Sequence, residues 1–216
     1  MKLFLFDHCP YCVKAMMVVG YKQLDVEYVF LQNHDVQARI EKVGANLVPI
    51  LQKADGSYMA ESLDIASYLD QIADQPMLDL ARLDSVINEW ITKTKQLSSA
   101  LMYPRWLKIP LPEFQCDEAR DWFTQKKTQT MGINFDTAYY NTAEYLNRLH
   151  PQLEKIDWLV LPSERHNRLN YDDINIFPTL RNLTVIKDIQ FPATVRQYIE
   201  EVSTITGIHL FDDVAV

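Results

Sequence analysis

The first seventy residues alternate short apolar runs with stretches in which apolar side chains return every three or four positions. Lys2–Phe6 is apolar and aromatic and predicts a buried strand. Val13, Met16, Met17 and Gly20 keep helical spacing, which predicts a helix running to Tyr21. Val26–Leu31 predicts a second strand, and Val36–Val43 a short polar helix stopped by Gly44. Val48-Pro49-Ile50-Leu51 and Tyr58-Met59-Ala60 flank Asp55-Gly56, the signature of a hairpin. Ile65, Ala66, Leu69 and Ile72 then share one face of a helix opening at Ser62. The predicted order is β-α-β-α-β-β-α.

Strand signals cease after Asp74-Gln75-Pro76-Met77, so a first domain is expected over 1–74, a linker over 75–84 and a second domain over 85–216. Val86, Ile87, Trp90, Ile91, Leu97 and Leu101 fit a long helix ending near Pro104. Further helices are expected over Asp117–Met131 and Ile133–Leu149, parted by Gly132, and from about Asn170. A last one spans Ala193–Thr206, between Pro192 and Gly207. Trp90, Trp106, Trp122 and Trp158 are assigned to packing rather than to a binding surface. The β-α-β-α-β-β-α order is that of the thioredoxin fold. The fold class is therefore an α/β thioredoxin-like N-terminal domain plus an all-α C-terminal domain.

Composition narrows the function classes. Of 216 residues, 48% are hydrophobic and 23% charged, a mix that can bury a core, and 5 Gly with 10 Pro exclude a low-complexity chain. The net charge of −8 is spread over both halves, which argues against nucleic-acid or anionic-membrane partners. No apolar run nears the roughly 18–20 residues that span a bilayer. The opening Met1–Phe6 run stops at Asp7, short of a signal-peptide core, so a cytoplasmic location is expected. In a reducing compartment three cysteines point to chemistry rather than to a disulfide scaffold.

Two of them form Cys9-Pro10-Tyr11-Cys12. Proline favours the first helical position, which puts Cys9 at the N-cap and Cys12 in the first turn. Free N–H groups and the positive end of the helix dipole favour a thiolate at such a site. Cys9 is therefore the expected nucleophile, and Cys12 the thiol placed to resolve a mixed disulfide on it. The plain structural alternative is two ordinary cysteines one turn apart. A metal site is not expected, because only Cys116 and scattered histidines remain as ligands. His8 is read as an exposed neighbour that could influence the charge of Cys9, and Cys116 as an incidental thiol.

Val48-Pro49 stands where the thioredoxin fold keeps a cis proline beside its cysteines. A cis bond would turn the Val48 N–H and C=O outward to pair with an extended peptide like an added strand. Ser62 is a natural N-cap, which is its structural reading. Functionally, the helix N-terminus suits a substrate carboxylate and Glu61 an adjacent ammonium. The γ-glutamyl end of glutathione carries both charges, with its cysteine next along the chain.

Asp7-His8-Cys9-Pro10-Tyr11-Cys12 resembles a dithiol glutaredoxin, while Val48–Leu51 and Glu61–Ile65 resemble the amino-terminal domain of glutathione transferases. Asp172–Pro178 and Leu180–Thr184 look like the carboxy-terminal domain of the glutaredoxin 2 family, so the resemblance covers essentially the whole chain. It implies a glutathione-transferase-like architecture and a monomeric or weakly associating glutathione-dependent thiol–disulfide oxidoreductase. Cys9 would be the nucleophile and Cys12 its disulfide partner, with Cys9, Tyr11, Val48, Pro49, Glu61 and Ser62 lining the glutathione site. Asn170 replaces the usual Ser or Thr of the transferase capping box, and caps comparably well. Lys22 is a candidate for the glycine carboxylate, with a solvated lysine as the alternative.

The resemblance further implies partners that are glutathione and disulfide-containing or glutathionylated proteins. It implies no tightly bound cofactor: glutathione is a co-substrate, regenerated indirectly by NADPH. The alternative is a glutathione transferase conjugating the tripeptide to electrophiles, and a third class is a non-catalytic binding protein. The second thiol at Cys12 argues against the transferase, since it offers a competing disulfide.

Overall fold

The structure, a computed structural model, describes residues 1–72 and 77–216. The chain forms two compact units, Met1–Met77 with Pro110–Phe123, and Leu78–Ile109 with Thr124–Val216. Of the linker expected over 75–84, residues 75–76 lie outside the described residues. A contiguous division does not follow the packing, because the segment 110–123 clusters with the first unit.

In the first unit β1 (Lys2–Leu5) is followed by α1 (Pro10–Tyr21), β2 (Glu27–Phe30), α2 (Val36–Val43), β3 (Ile50–Gln52), β4 (Tyr58–Met59) and α3 (Ser62–Gln71). The sheet order is β2-β1-β3-β4. β1 runs parallel to β2, with Leu5 opposite Phe30, and antiparallel to β3, with Phe4 opposite Ile50. β4 returns antiparallel to β3, with Met59 opposite Leu51. Leu3, Leu5, Ile50 and Leu51 are buried, as are Val13, Met16 and Met17 of α1 and Ile65, Ala66 and Leu69 of α3. Helices α1 and α3 pack against each other. Lys42 of α2 lies over the Phe4 ring, 4.7 Å from its centroid.

Local chemistry explains the ends of α2. Asp35 accepts the Ala38 N–H at 3.0 Å as N-cap. Gly44 ends the helix at φ 73°, a left-handed conformation that favours glycine, and its N–H reaches the Ile40 carbonyl. Strand β3 starts at Ile50, directly after the cis Val48–Pro49 peptide.

The second unit holds α4 (Asp84–Trp106), α6 (Phe135–Tyr140), α7 (Thr142–Leu153), α8 (Tyr171–Leu183) and α9 (Ala193–Thr206), with most of α5 (Asp117–Met131). Helix α4 runs two residues past Pro104. A proline so near the C-terminus removes one hydrogen bond, and the buried Arg105 guanidinium donates to the Leu101 carbonyl at 2.7 Å. The single helix expected over 133–149 is two. Asn141 breaks it in a non-helical conformation, and the Thr142 hydroxyl bonds back to the Tyr139 carbonyl at 2.6 Å. Trp90 and Trp106 are core residues, whereas Trp122 and Trp158 are half-buried.

Helix α8 opens with a reciprocal box: Asn170 accepts the Asp173 N–H at 3.0 Å, and Asp173 accepts the Asn170 N–H at 2.8 Å. Asp173 also takes two hydrogen bonds of 2.9 Å from Arg165 and one of 2.8 Å from the Tyr198 hydroxyl. Its neighbour Asp172 accepts the N–H groups of Arg82 and Leu83 ahead of α4. Removing the Asp173 carboxylate would strand a guanidinium and a buried phenol. Asp173→Ala is expected to cost about 3 kcal/mol in urea unfolding, the scale for breaking a buried pair by deleting one partner.

Candidate functional site

The register brings four chain segments to one edge of the sheet. β1 ends at Leu5 and leads into the cysteine motif. Ile50 opposite Phe4 sets the Val48-Pro49 entry to β3 beside that end, since the two strands are antiparallel. β4 runs back toward the same edge, so Glu61 and Ser62 emerge there too. Phe30 opposite Leu5 delivers Gln32, Asn33 and His34 to it from β2.

Cys9 occupies the N-cap of α1 with extended backbone (φ −76°, ψ 117°), and Pro10 is the first helical residue. Its thiol makes no side-chain cap hydrogen bond, so helix N–H groups are not its main support. The Cys12 side chain is: the hydrogen bond between the two thiols chiefly holds Cys9 at about 7, below the ordinary thiol value, against the opposing effect of burial. The positive charge of His8 and the N–H groups of Cys12 and Tyr11 lower it further. Cys12 is fully buried, and burial first, then the hydrogen bond to Cys9 and the Cys9 charge, push its thiol well above the ordinary value. Cys12 Sγ also accepts the Phe6 N–H at 3.5 Å. Both thiols are free in this structure.

Tyr11 stands 59% exposed beside the half-buried Cys9. Pro49 is buried and Val48 half-buried. The helix start differs from expectation by one residue. Glu61, at φ 69°, is the N-cap of α3, and its carbonyl accepts the Ile65 N–H at 2.9 Å; Ser62 is the first helical residue. Ser62 thus contributes a backbone N–H at the helix N-terminus rather than a side-chain cap. Glu61 carries a side chain in a left-handed conformation, a strained arrangement that concentrates at ligand sites.

Two residues need correction. Lys22 is neither solvated nor available to a carboxylate at the edge. Its side chain is 1% exposed, its Nζ lies 3.4 Å from the Asp70 carboxylate, and it donates to the Asp70 carbonyl, because α1 and α3 pack face to face. His8 is buried rather than exposed. Its ring Nδ1 hydrogen-bonds to Glu113 Oε1, and the same oxygen accepts the His8 N–H at 3.1 Å.

Sequence reasoning missed Glu113. Its signal was an acid set inside the apolar run Ile109-Pro110-Leu111-Pro112-Glu113-Phe114, where a solvated carboxylate would be out of place. Cys116 is half-buried, with its sulfur 3.7 Å from Gln32 Oε1 and 3.9 Å from His34 Nδ1. Among the described residues no group of three or more His, Cys, Asp or Glu could hold a metal ion. None of the described helices is long and apolar enough to cross a membrane.

Comparison with known proteins agrees with this arrangement. Residues 3–77 match the glutathione S-transferase N-terminal domain, and residues 86–215 match the glutaredoxin 2 C-terminal domain. Glutaredoxin 2 of Escherichia coli K12 is 37% identical over 217 residues, covering 100% of both chains. The crystal structure of glutaredoxin 2 from Salmonella typhimurium in complex with glutathione superposes with a TM-score of 0.92 at 36% identity, covering 100% of this chain and 98% of that one. Glutathione transferase GSTFuA2 from Phanerochaete chrysosporium shares the fold at a TM-score of 0.65 and 14% identity, covering 97% and 99% of the two chains. With an unlike pair of thiols at the opening of α1 and a relative's likeness running end to end, this chain belongs to the glutaredoxin 2 family, whose members are glutathione–disulfide oxidoreductases.

Proposed function

We propose that the protein reduces glutathione mixed disulfides and protein disulfides with glutathione as the electron donor, Cys9 being the nucleophile and Cys12 the resolving thiol. The observation that carries this reading is the division of acidity between two thiols one helical turn apart, Cys9 near 7 and Cys12 far higher. One is reactive at neutral pH and the other stays protonated until needed.

With a glutathione mixed disulfide, the Cys9 thiolate attacks the glutathione sulfur. A Cys9–glutathione disulfide forms, and the target protein leaves as a thiolate that takes a proton from water. A second glutathione thiolate then attacks the bound glutathione sulfur, giving glutathione disulfide and restoring the Cys9 thiolate. With a protein disulfide, Cys9 forms a mixed disulfide with one target sulfur and releases the other. Cys12 loses its proton and attacks Cys9 Sγ, forming the Cys9–Cys12 disulfide and freeing the target's second thiol. Two glutathione molecules then reduce that disulfide.

The acidity of Cys12 suits this order. Part of what keeps it protonated is the negative charge of Cys9 and the hydrogen bond between them. Both vanish once Cys9 is bound in a mixed disulfide, so Cys12 becomes more acidic when its attack is required.

The glutathione site we propose at the sheet edge uses the Val48 main chain as a strand-like partner for the tripeptide. Pro49 and the exposed Tyr11 flank the sulfur. The Ser62 N–H at the start of α3 takes the γ-glutamyl carboxylate, and Glu61 the ammonium. Disulfide-containing and glutathionylated proteins are the partners, the working form is a monomer in the cytoplasm, and glutathione is the only small-molecule reductant bound. A reductase using NADPH would return glutathione disulfide to the thiol.

Alkylation of Cys9 by iodoacetamide, followed by mass spectrometry, is expected to titrate with a midpoint of about 7. Below it the thiolate fraction, and with it the rate, falls about tenfold per pH unit; above it the rate levels off, while Cys12 stays unmodified through pH 8. A midpoint near that of a free thiol would contradict the assignment. Turnover separates the two cysteines. Cys9→Ser is expected to abolish glutathione-dependent reduction of both substrate types. Cys12→Ser should keep most activity on a small glutathione mixed disulfide and lose the dithiol reduction of protein disulfides. Conjugation of glutathione to an aryl halide without disulfide reduction would instead favour a transferase.

A further inference from the structure

Glu113 is fully buried on the 3₁₀ turn Pro112–Phe114, yet one of its two carboxylate oxygens, Oε2, has no hydrogen-bond partner. The other, Oε1, takes both the backbone N–H and the ring Nδ1 of His8. A half-satisfied buried carboxylate is expensive to keep. Holding the fold here requires only an acceptor, which the uncharged amide of glutamine would also supply. What the charge adds is an ionic partner for the His8 ring, which glutamine would not supply.

The His8 ring is fixed. It stacks on Phe6 at 5.9 Å and 2° and on Phe114 at 5.2 Å and 24°, with Phe123 edge-on at 5.4 Å. The turn that carries it is bonded to both cysteines: the Cys9 N–H donates to the Phe6 carbonyl at 3.3 Å, and the Phe6 N–H donates to Cys12 Sγ at 3.5 Å. A second hydrogen bond, from the Asn33 N–H to the Glu113 carbonyl at 3.0 Å, anchors the 3₁₀ turn to the sheet edge.

We propose that Glu113 is a positioning residue for the disulfide-exchange reaction, a buried anion that pairs with the His8 ring and keeps it in register beside Cys9. The inference rests on the reading of Cys9 as the nucleophile. His8 makes the Cys9 thiol more acidic, and Glu113 makes the Cys12 thiol less acidic. Both residues widen the difference between the two thiols. The other charged or titratable groups nearby are Asp7 in the same turn, Tyr11 and Lys14 on α1, Arg39 of α2 over the Phe6 ring at 5.3 Å, and His34 with Cys116. All are retained in the variants below.

The test is the pH profile of Cys9 alkylation in the full chain, for wild type, Glu113→Gln, His8→Asn and the double variant, with thermal unfolding recorded for each. Each single variant is expected to raise the midpoint by about one unit, the low end of what one neighbouring opposite charge confers, so alkylation at pH 6 slows about tenfold. Well above both midpoints the rates should converge. The double variant should shift no further than the larger single shift, because the two residues act as one unit. An unchanged or lowered midpoint in Glu113→Gln, with or without a fall in melting temperature, overturns the proposal and leaves Glu113 a packing residue. If Glu113→Gln fails to fold, His8→Asn decides on the same criterion. The wild-type profile separates this from the underlying reading: a free-thiol midpoint there defeats the Cys9 assignment itself.

Discussion

One hydrogen bond between two thiols organises the reactive end of this protein. Two cysteines three residues apart would ordinarily have similar acidities, and a dithiol with equal members has no reason to react in a fixed order. Here the proton is unevenly held. Cys12 lies in the core of α1, where burial opposes charge, and it donates to Cys9, which lies half-exposed at the helix opening. Burial makes the Cys12 thiol less acidic first of all, and the hydrogen bond between the thiols adds to this while making Cys9 more acidic, so the two effects together assign resolver and nucleophile. The helix N-terminus, which would activate a lone cysteine, is a secondary contributor.

That contact has value only because the sheet delivers the remaining groups to the same place. A parallel pairing of β1 with β2 and antiparallel pairings through β3 and β4 send three strand ends and the starts of α1 and α3 to one edge. A one-residue slip in β1–β3 pairing would exchange the faces of Leu3, Phe4 and Leu5, all buried, and move Val48 relative to the motif. The buried side chains of β1 therefore fix the site's geometry as firmly as any residue in it. Ion pairing inside the unit has the same character. Lys22 with Asp70 joins α1 to α3, at the expense of a role for Lys22 in ligand binding.

Much of this was legible in the chain because local rules governed it. Gly44 as a helix stop, Pro10 at the first position of α1, and the Asn170–Asp173 box each follow from the conformational preferences of one or two residues, and the structure has all three. The cis bond before Pro49 followed from the fold's order of elements and not from any local signal. What escaped was decided by partners far along the chain. Whether Lys22 is solvated depends on Asp70, and whether His8 is exposed depends on Glu113, 105 residues away. The shift from Ser62 to Glu61 at the α3 cap escaped for another reason. Serine is the better intrinsic cap, and only the strained backbone of Glu61 moves the helix start forward. Hydrophobic spacing likewise could not separate one long helix from two meeting at Asn141, since both keep the same apolar face.

The distance along the chain between His8 and Glu113 has a chemical consequence. Residues 1–77 contain both cysteines, the cis proline and the start of α3, so by motif alone they hold the whole site. They do not contain the acceptor for His8. That acceptor arrives on 110–123, after α4 has been built, and it brings Phe114 and Phe123 to enclose the imidazole. Without that segment the His8 ring would meet water, its charge would be screened by a high dielectric, and its influence on Cys9 would shrink accordingly. Burial by the returning segment is therefore what turns an ordinary histidine beside a cysteine into an electrostatic component of the dithiol. A motif scan stops at Cys12, whereas the chemistry of the motif extends to a glutamate a hundred residues on.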